Sequence, residues 1–392
     1  MKIEPIWLKT DPLQFVLMEL FDGRVGGDSF CVGGCVRDAV LGLPCKDIDI
    51  ATPRTPDEVE AIFSDWGDKV KLIPTGVDHG TWTVVVEDMS FEITTFRKDV
   101  ATDGRRATVA YAKTMQEDAQ RRDFTMNALY MDWQGYVFDP TGQGIADIMA
   151  RNIRFVGNAN ERCEEDYLRI MRLFRFHAQF GVGPMDSDAY WAARDNAEGL
   201  LQVSGERIWS ELKKILSTHT PVEALHEMVG AGVLDVIMPD RGDVLSVAEV
   251  ISAERDAALG PRWQRRFAAL LHKGHEIPFP ASNEERKEIA DIIEHKRFGG
   301  SLSRTAYKTR SRNTAVDCYV IACGENRIPC MPYEEQVQLG LNSKCPVSAD
   351  YLMSKGVKPG PELGRLLKKA DDLFLASHFK ATRDQIMEKM PL

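Results

Sequence analysis

The sequence predicts an α+β protein, a small mixed α/β head followed by an extended all-helical remainder. Three observations predict it: period-two apolar runs confined to the first hundred residues, helical spacing of apolar residues dominant from Glu117 onward, and a cluster of Asp139-Pro140 and glycines between the two regions. At 392 residues the chain exceeds one ordinary core, and roughly two to four compact units are expected. The expected division is a head over residues 1–150, a helical neck over 151–220, a helical body over 221–340 and a helical tail over 341–392.

Thr10-Asp11-Pro12 supplies a cap and a first-turn proline for a helix through FVLMELF. CVGGCVRDAVLG reads as a short apolar entry, a glycine loop and a helix with Val36, Ala39, Val40 and Leu43 at helical spacing. DIDIAT alternates acid and isoleucine, the period of a strand. Thr55-Pro56-Asp57-Glu58 starts another helix with Val59, Ile62, Phe63 and Trp66 as its buried stripe. KVKLI, GTWTVVVED and SFEITTFR read as strands, the last two joined by a turn around Asp88 to Ser90. KDVATDGRRATVAYAKT, after Arg97, lacks apolar periodicity and is expected to be a mobile loop beside the site. EDAQRRDFTMNALYM, EEDYLRIMRLFRFHAQF, SGERIWSELKKILS and PVEALHEMVGAGVL read as helices.

Composition narrows the function classes. Hydrophobic residues at 44% and charged residues at 28% are ordinary for a soluble globular chain. Glu4, Asp11 and Glu19 interrupt the first apolar stretch, so it suits neither a signal peptide nor a membrane span, and a cytoplasmic location is expected, with no membrane and no protein partner evident. The eight cysteines form no zinc pattern; Cys31 and Cys35 are a CxxxC without a second pair, and reduced packing thiols are expected. A net charge of −10 excludes a uniformly basic coat, so any polyanion must meet a local patch.

Asp47 and Asp49 lie two apart on a strand, so both carboxylates project from one face while Ile48 and Ile50 anchor the other. Paired carboxylates suit Mg²⁺, which keeps positions for waters and substrate phosphates. Glu92 alternates with Phe91 and Ile93 on a neighbouring strand and offers a third carboxylate; three acids can hold two ions about 4 Å apart for phosphoryl chemistry. The alternative is a solvated strand face. Gly33 and Gly34, before a helix, let backbone N–H groups approach a phosphate, and Arg37 one turn later can pair with a phosphate oxygen. The alternative there is a packing turn with Arg37 and Asp38 as a surface pair.

CVGGCVRDAVLG with KDIDI resembles the first motif of the class II tRNA nucleotidyltransferase and poly(A) polymerase family. In order, RRDFTMNAL (121–129), DPTGQGIAD (139–147), EEDYLRIMRLFRF (164–176) and SGERIWSEL (204–212) resemble its later motifs, and KGVKPGPELGRLL (355–367) resembles the tail of the tRNA-specific branch. The resemblance implies a polymerase-β-like head with Asp47 and Asp49 as metal ligands. It places Gly34 and Arg37 around a triphosphate, and Arg122 near ribose and phosphates. It implies Asp166 and Arg169 as the base-selecting pair, with Arg172 and Arg175 as further nucleotide contacts. Three apart on one expected helix, Asp166 and Arg169 would share a face and offer an acceptor beside donors, an edge able to complement C or A; an intrahelical salt bridge is the alternative. Asp123 and Asn127 are expected to share a helical face and brace the site, with Phe124 and Ala128 toward the core. The 97–116 stretch resembles the family's flexible loop, departing at Ala107, where the family pattern has proline.

No acid falls between Glu294 and Asp317, whereas Lys296, Arg297, Arg304, Lys308, Arg310 and Arg312 do, and this is the expected RNA-backbone patch, with Lys355, Lys358, Arg365, Lys368 and Lys369 as an extension. The alternative is a solvated basic loop. The expected activity is addition of C, C and A to tRNA from CTP and ATP with Mg²⁺, most simply two ions. A poly(A) polymerase, a split CC-adding or A-adding enzyme, a non-catalytic RNA-binding relative and, remotely, a sugar-transferring enzyme compete with it. His272 and His275, in HKGHE, have no adjacent His-Asp pair and read as loop residues.

Overall fold

The computed structural model describes residues 1–21, 29–45, 47–76, 80–102, 107–271, 276–296 and 301–390. They fall into two compact units, Met1–Pro239 and Asp240–Leu392, so the expected head and neck share one unit and the expected divisions at 150, 220 and 340 lie inside units.

In the first unit α1 (Asp11–Leu20) begins with its proline in the first turn, although Thr10 gives its hydroxyl to the Trp7 carbonyl at 2.9 Å and does not cap the helix. Then follow β1 (Phe30–Val32), α2 (Gly34–Val40), β2 (Ile48–Thr52) and α3 (Pro56–Ser64), the last opened by a reciprocal Thr55–Glu58 capping box. β3 (Val70–Gly76), β4 (Thr81–Val86) and β5 (Met89–Thr95) follow, and the β4–β5 turn uses Glu87 at φ 53°, one residue before the expected turn. With β8 (Tyr130–Met131) and β9 (Val137–Phe138) they form one seven-stranded sheet in the order β3-β4-β5-β2-β1-β8-β9. Among the described pairings of this sheet only β2 and β5 run parallel; α3, β3 and β4 form the crossover between them. Ile48, Ile50, Phe91 and Ile93 point into the core, and full burial of each contributes about 1.5–3 kcal/mol. The same pleat turns Asp49 and Glu92 to the other face.

Two expectations are corrected in the head. The stretch after Arg97 is not an unpaired loop: β6 (Arg97–Thr102) and β7 (Ala107–Tyr111) pair antiparallel, from Arg97 opposite Tyr111 to Thr102 opposite Ala107. The pairing is made by backbone hydrogen bonds, which a stretch with little apolar periodicity does not announce. Its tip, 103–106, with the expected Asp103-Gly104-Arg105-Arg106 loop, lies outside the described residues. EDAQRRDFTMNALYM is not one helix either. α4 (Met115–Gln120) stops before Arg121, and the apolar residues beyond it do not trace one helical face: Phe124, Met126, Ala128, Leu129 and Tyr130 are all fully buried. Phe124 instead bridges to Phe155, and Thr125–Asn127 is a single 3₁₀ turn leading into β8.

The rest of the first unit comprises α5 (Gly144–Ala150), α6 (Ala159–Glu165), α7 (Leu168–Phe180), α8 (Ser187–Asp195), α9 (Gly205–Leu216), α10 (Pro221–Gly230) and α11 (Val233–Ile237). The stretch expected as one helix over 164–180 is two, broken at Asp166, whose backbone is extended at φ −154° and ψ 100°. Gly199 explains the stability of the break: a Cβ there would lie 2.1 Å from the Tyr167 ring, so only glycine lets Tyr167 seat at the start of α7.

The second unit is helical throughout its named elements, as expected, from Leu245–Asp256 to Arg383–Met387. Its first core surrounds the helix Arg312–Asn326, and its second joins Tyr307 to Leu352, Leu366, Ala370, Phe374 and Ile386. Arg265 and Arg266 are buried with Glu254 and Asp317 in one ion network. The cysteines are free thiols, Cys31, Cys35, Cys163, Cys318 and Cys323 buried as packing residues. No helix among the described residues is long and apolar enough to cross a membrane.

Candidate active site

Strand β1 in mid-sheet delivers the glycine loop. Gly33 has φ 76° and ψ −123°, a conformation L side chains rarely adopt, and a Cβ would sit 3.3 Å from Arg122 Nη1. The loop therefore lies directly against the Arg122 guanidinium. Gly34 opens α2, with Arg37 Nη2 close by.

Asp49 and Glu92 are direct partners across the parallel β2–β5 joint, and Asp47 is exposed one residue before β2. The Asp49 carboxyl is pushed up to about 6, chiefly by burial and also by the neighbouring Glu92 and Asp47 carboxylates, with Arg122 opposing them. The acids thus repel one another, which favours a cation between them. Among the described residues no three His, Cys, Asp or Glu side chains form a cage able to hold a metal alone. That donor set fits Mg²⁺, which takes one or two carboxylates and completes its shell with water and substrate phosphates.

Arg122 is fixed by Asp118, a buried acid not singled out in the sequence. Arg122 Nη2 donates to Asp118 Oδ2 at 3.0 Å, Arg121 Nε to Oδ1 at 2.8 Å, and the Tyr130 hydroxyl to Oδ2 at 2.6 Å; the Arg97 amide donates to Oδ1 at 3.1 Å. Burial alone would raise this carboxyl, but Arg122 and Arg121 outweigh it and hold it near 2. An acid four residues before an arginine is the signal that would have found it.

Arg37 is largely buried. Its Nε and Nη2 meet Asp38 Oδ1 at 2.9 and 2.7 Å, its Nη1 donates to Asn127 Oδ1 at 2.8 Å, and its guanidinium carbon lies 4.3 Å from the Phe180 ring centre. Asn127 Nδ2 donates to Asp123 Oδ1 at 3.1 Å, so the expected Asp123–Asn127 bracing occurs, although not on a helix. Arg172 Nε donates to Asp123 Oδ2 at 2.8 Å. Arg175 pairs with Glu211 and lies over Phe176 at 4.2 Å.

The break before α7 changes the expected base-reading pair. Asp166 precedes the helix and does not share a helical face with Arg169. Its Oδ1 accepts the Leu168 amide at 3.1 Å and its Oδ2 accepts Arg207 Nη2 at 2.8 Å, whereas Arg169 Nη1 donates to Glu165 Oε2 at 2.6 Å. Neither forms the Asp-x-x-Arg salt bridge, and each is steadied by a different neighbour. Arg207, inside SGERIWSEL, is a second residue the spacing argument missed, because its partner is 41 positions away.

In the second unit the expected RNA patch is divided. Lys296 turns inward, Nζ donating to the Ala268 carbonyl at 3.1 Å. Arg310 lies over Tyr307 and donates to the Leu341 and Ser343 carbonyls, and Arg312 pairs with Glu334 at 2.8 Å. Arg304 and Lys308 are exposed, Lys308 with Asp372 at 3.8 Å. Arg297, like His272 and His275, lies outside the described residues. Lys358, Lys368 and Lys369 are exposed and, among the described residues, join no ion pair.

A sheet carrying paired acids beside a glycine loop and arginines is the head of a nucleotidyltransferase, and residues 29–154 match the family model described as the poly A polymerase head domain. Residues 185–243 match the model described as the probable RNA and SrmB-binding site of polymerase A. The chain is 45% identical over 375 residues to the mitochondrial CCA tRNA nucleotidyltransferase 1 of Homo sapiens, covering 91% of this chain and 84% of that protein. It is 32% identical to the protein of the same name from Danio rerio, over 91% of this chain and 86% of that one, and 31% identical to a CCA-adding enzyme of Lactobacillus delbrueckii, over 88% and 89%. Among solved structures it resembles the Bacillus stearothermophilus CCA-adding enzyme in complex with CTP, with TM-score 0.71 and 26% identity over 96% of each chain. The Thermotoga maritima CCA-adding enzyme complexed with tRNA shares the fold, with TM-score 0.64 and 20% identity over 96% and 97%. The chain belongs to the CCA tRNA nucleotidyltransferase family.

Proposed function

We propose that this nucleotidyltransferase adds C, C and A in turn to the 3′ end of tRNA, using CTP and then ATP and releasing pyrophosphate. The observation that carries the reading is the pairing of Asp49 with Glu92 across the parallel joint, beside Gly33 and the Arg122 guanidinium. Asp47 and Asp49 would hold Mg²⁺, with Glu92 as the third carboxylate. The ion supplies neutralisation of phosphate charge and activation of the attacking hydroxyl. The Gly33–Gly34 backbone and the Arg37 and Arg122 guanidiniums face the triphosphate and keep its reacting phosphorus in line with the tRNA 3′ oxygen. Attack at the α-phosphorus forms the new P–O bond as the bond to pyrophosphate breaks.

Asp166 and Arg169 read the base. Each Asp166 oxygen engaged by Leu168 or Arg207 keeps a lone pair for the amino group of C or A, and Arg169 keeps N–H groups for ring acceptors. U and G would leave these groups unpaired, which is the source of discrimination. Arg172 and Arg175 support the same face. The tRNA backbone meets the exposed lysines of residues 355–369 together with Arg304 and Lys308, giving salt-dependent, shape-guided binding. A cytoplasmic location is part of the reading; a tagged copy found only in mitochondria would overturn that part.

The test supplies purified protein, Mg²⁺ and single nucleotides with tRNA transcripts ending before CCA or after CC, and with an unrelated RNA. Addition of C, C and A that then halts is the expected result. A long A tail on any RNA would make it a poly(A) polymerase, and a halt after CC a split enzyme.

A further inference from the structure

Asn127 links the Arg37 guanidinium on α2 to the Arg172 guanidinium on α7 by way of Asp123. Its Oδ1 accepts from Arg37 Nη1 at 2.8 Å and its Nδ2 donates to Asp123 Oδ1 at 3.1 Å, while Asp123 Oδ2 accepts Arg172 Nε at 2.8 Å. The row Asp38, Arg37, Asn127, Asp123, Arg172 alternates acceptor and donor without a gap. The amide can take only one orientation, because turning it over would aim Nδ2 at a cation and Oδ1 at a carboxylate. Asn127 is 7% exposed, so water does not readily substitute for either bond. Rings of α7 enclose the same groups: Phe180 lies 4.3 Å from the Arg37 guanidinium carbon, and Phe176 lies 5.3 Å from that of Arg37 and 5.5 Å from that of Arg172.

We propose that Asn127 is a positioning residue that couples the Arg37 guanidinium on α2 to the Arg172 guanidinium on α7, so that the phosphate end and the base end of the nucleotide are gripped as one unit. Displacing Arg37 moves the amide directly, and displacing Arg172 moves it through the Asp123 carboxylate. Loss of Asn127 uncouples the two ends while leaving both arginines in place. This inference rests on the proposed nucleotide site, and the test separates the two.

The experiment is a double-mutant cycle in CTP affinity, measured by calorimetry with Mg²⁺, using R37K, R172K and the double variant in the native and N127A backgrounds. With Asn127 present, each single variant weakens CTP by about tenfold or more, and the double variant falls short of the product by about fivefold or more. In N127A the same two changes multiply to within about twofold. A merely structural asparagine would lower the melting temperature without altering that ratio between backgrounds. Should N127A not fold, N127L fills the space, removes both hydrogen bonds and serves the same cycle. Multiplicative effects in the presence of Asn127, or equal coupling in both backgrounds, overturn the coupling alone. Unchanged CTP affinity in both single arginine variants overturns the nucleotide site itself, and the coupling with it.

Discussion

Replacing Asp118 with asparagine tests the electrostatic scaffold behind the glycine loop. The carboxylate is 1% exposed and is shared by Arg121, Arg122, the Tyr130 hydroxyl and the Arg97 amide. Removing one partner of a buried ion pair typically costs about 3–5 kcal/mol; Arg121 and Arg122 keep some contact with water, so about 2–3 kcal/mol is expected at neutral pH. The lowered carboxyl pKa implies a similar size. A carboxyl held near 2 in the fold and titrating near its ordinary 3.8 in the unfolded chain adds about 2 kcal/mol of stability. Because the folded value is the lower one, this stabilisation is complete above about pH 4 and disappears as the pH falls toward 2. D118N is therefore expected to lower stability at pH 7 and to flatten the acid limb below pH 4. Urea melts at pH 7 and pH 3 read the global effect, and hydrogen exchange at the Arg97 amide reads the local one. With Arg122 released, the KM for CTP should rise about tenfold. A D118N protein within about 0.5 kcal/mol of the native one at pH 7, with the same acid limb, would refute the reasoning.

Three further outcomes are expected. G33A forces a side chain into a backbone conformation glycine favours and pushes Arg122 Nη1 aside, so stability falls by about 1–3 kcal/mol and CTP affinity with it; native-like urea melts and affinity would contradict this. D49N lowers nucleotide transfer by about a hundredfold or more with the fold intact by circular dichroism, and chelation of Mg²⁺ stops the native enzyme; full activity in either case removes the metal reading. The triple variant K358A, K368A and K369A weakens tRNA binding and reduces its salt slope by about one for each phosphate no longer neutralised, whereas R312A, whose guanidinium is engaged by Glu334, leaves the slope nearly unchanged; equal slopes in all three proteins would move the RNA surface elsewhere.

Much of the head was legible because its signals are local. The acid–isoleucine alternation of β2, the Thr55–Glu58 box and the paired glycines each express one backbone preference within a few residues, and each recurs in the structure. The first motif also carried the family resemblance, so the class of enzyme followed from short stretches in register. RRDFTMNAL misled for the opposite reason. Its spacing fits a helix, yet every apolar residue in it is wanted by the core at once, and Phe124 is held by a bridge to Phe155 that no local pattern encodes. The 97–111 ribbon was invisible because backbone pairing can form without an apolar period in the sequence.

By itself the sequence determined which residue types were available for chemistry: two acids on one strand face, glycines where a phosphate must come close, and a helical remainder with local basic clusters. Tertiary structure alone decided which charges are engaged and which stay open. Asp118 holds Arg122, Asn127 stands between Arg37 and Asp123, Arg207 reaches Asp166 across 41 positions, and Lys296 turns to a carbonyl where a phosphate contact was expected. The physical reason is that the strength of a charge depends on burial and on its partners in space, and both are set by packing between segments distant in the chain.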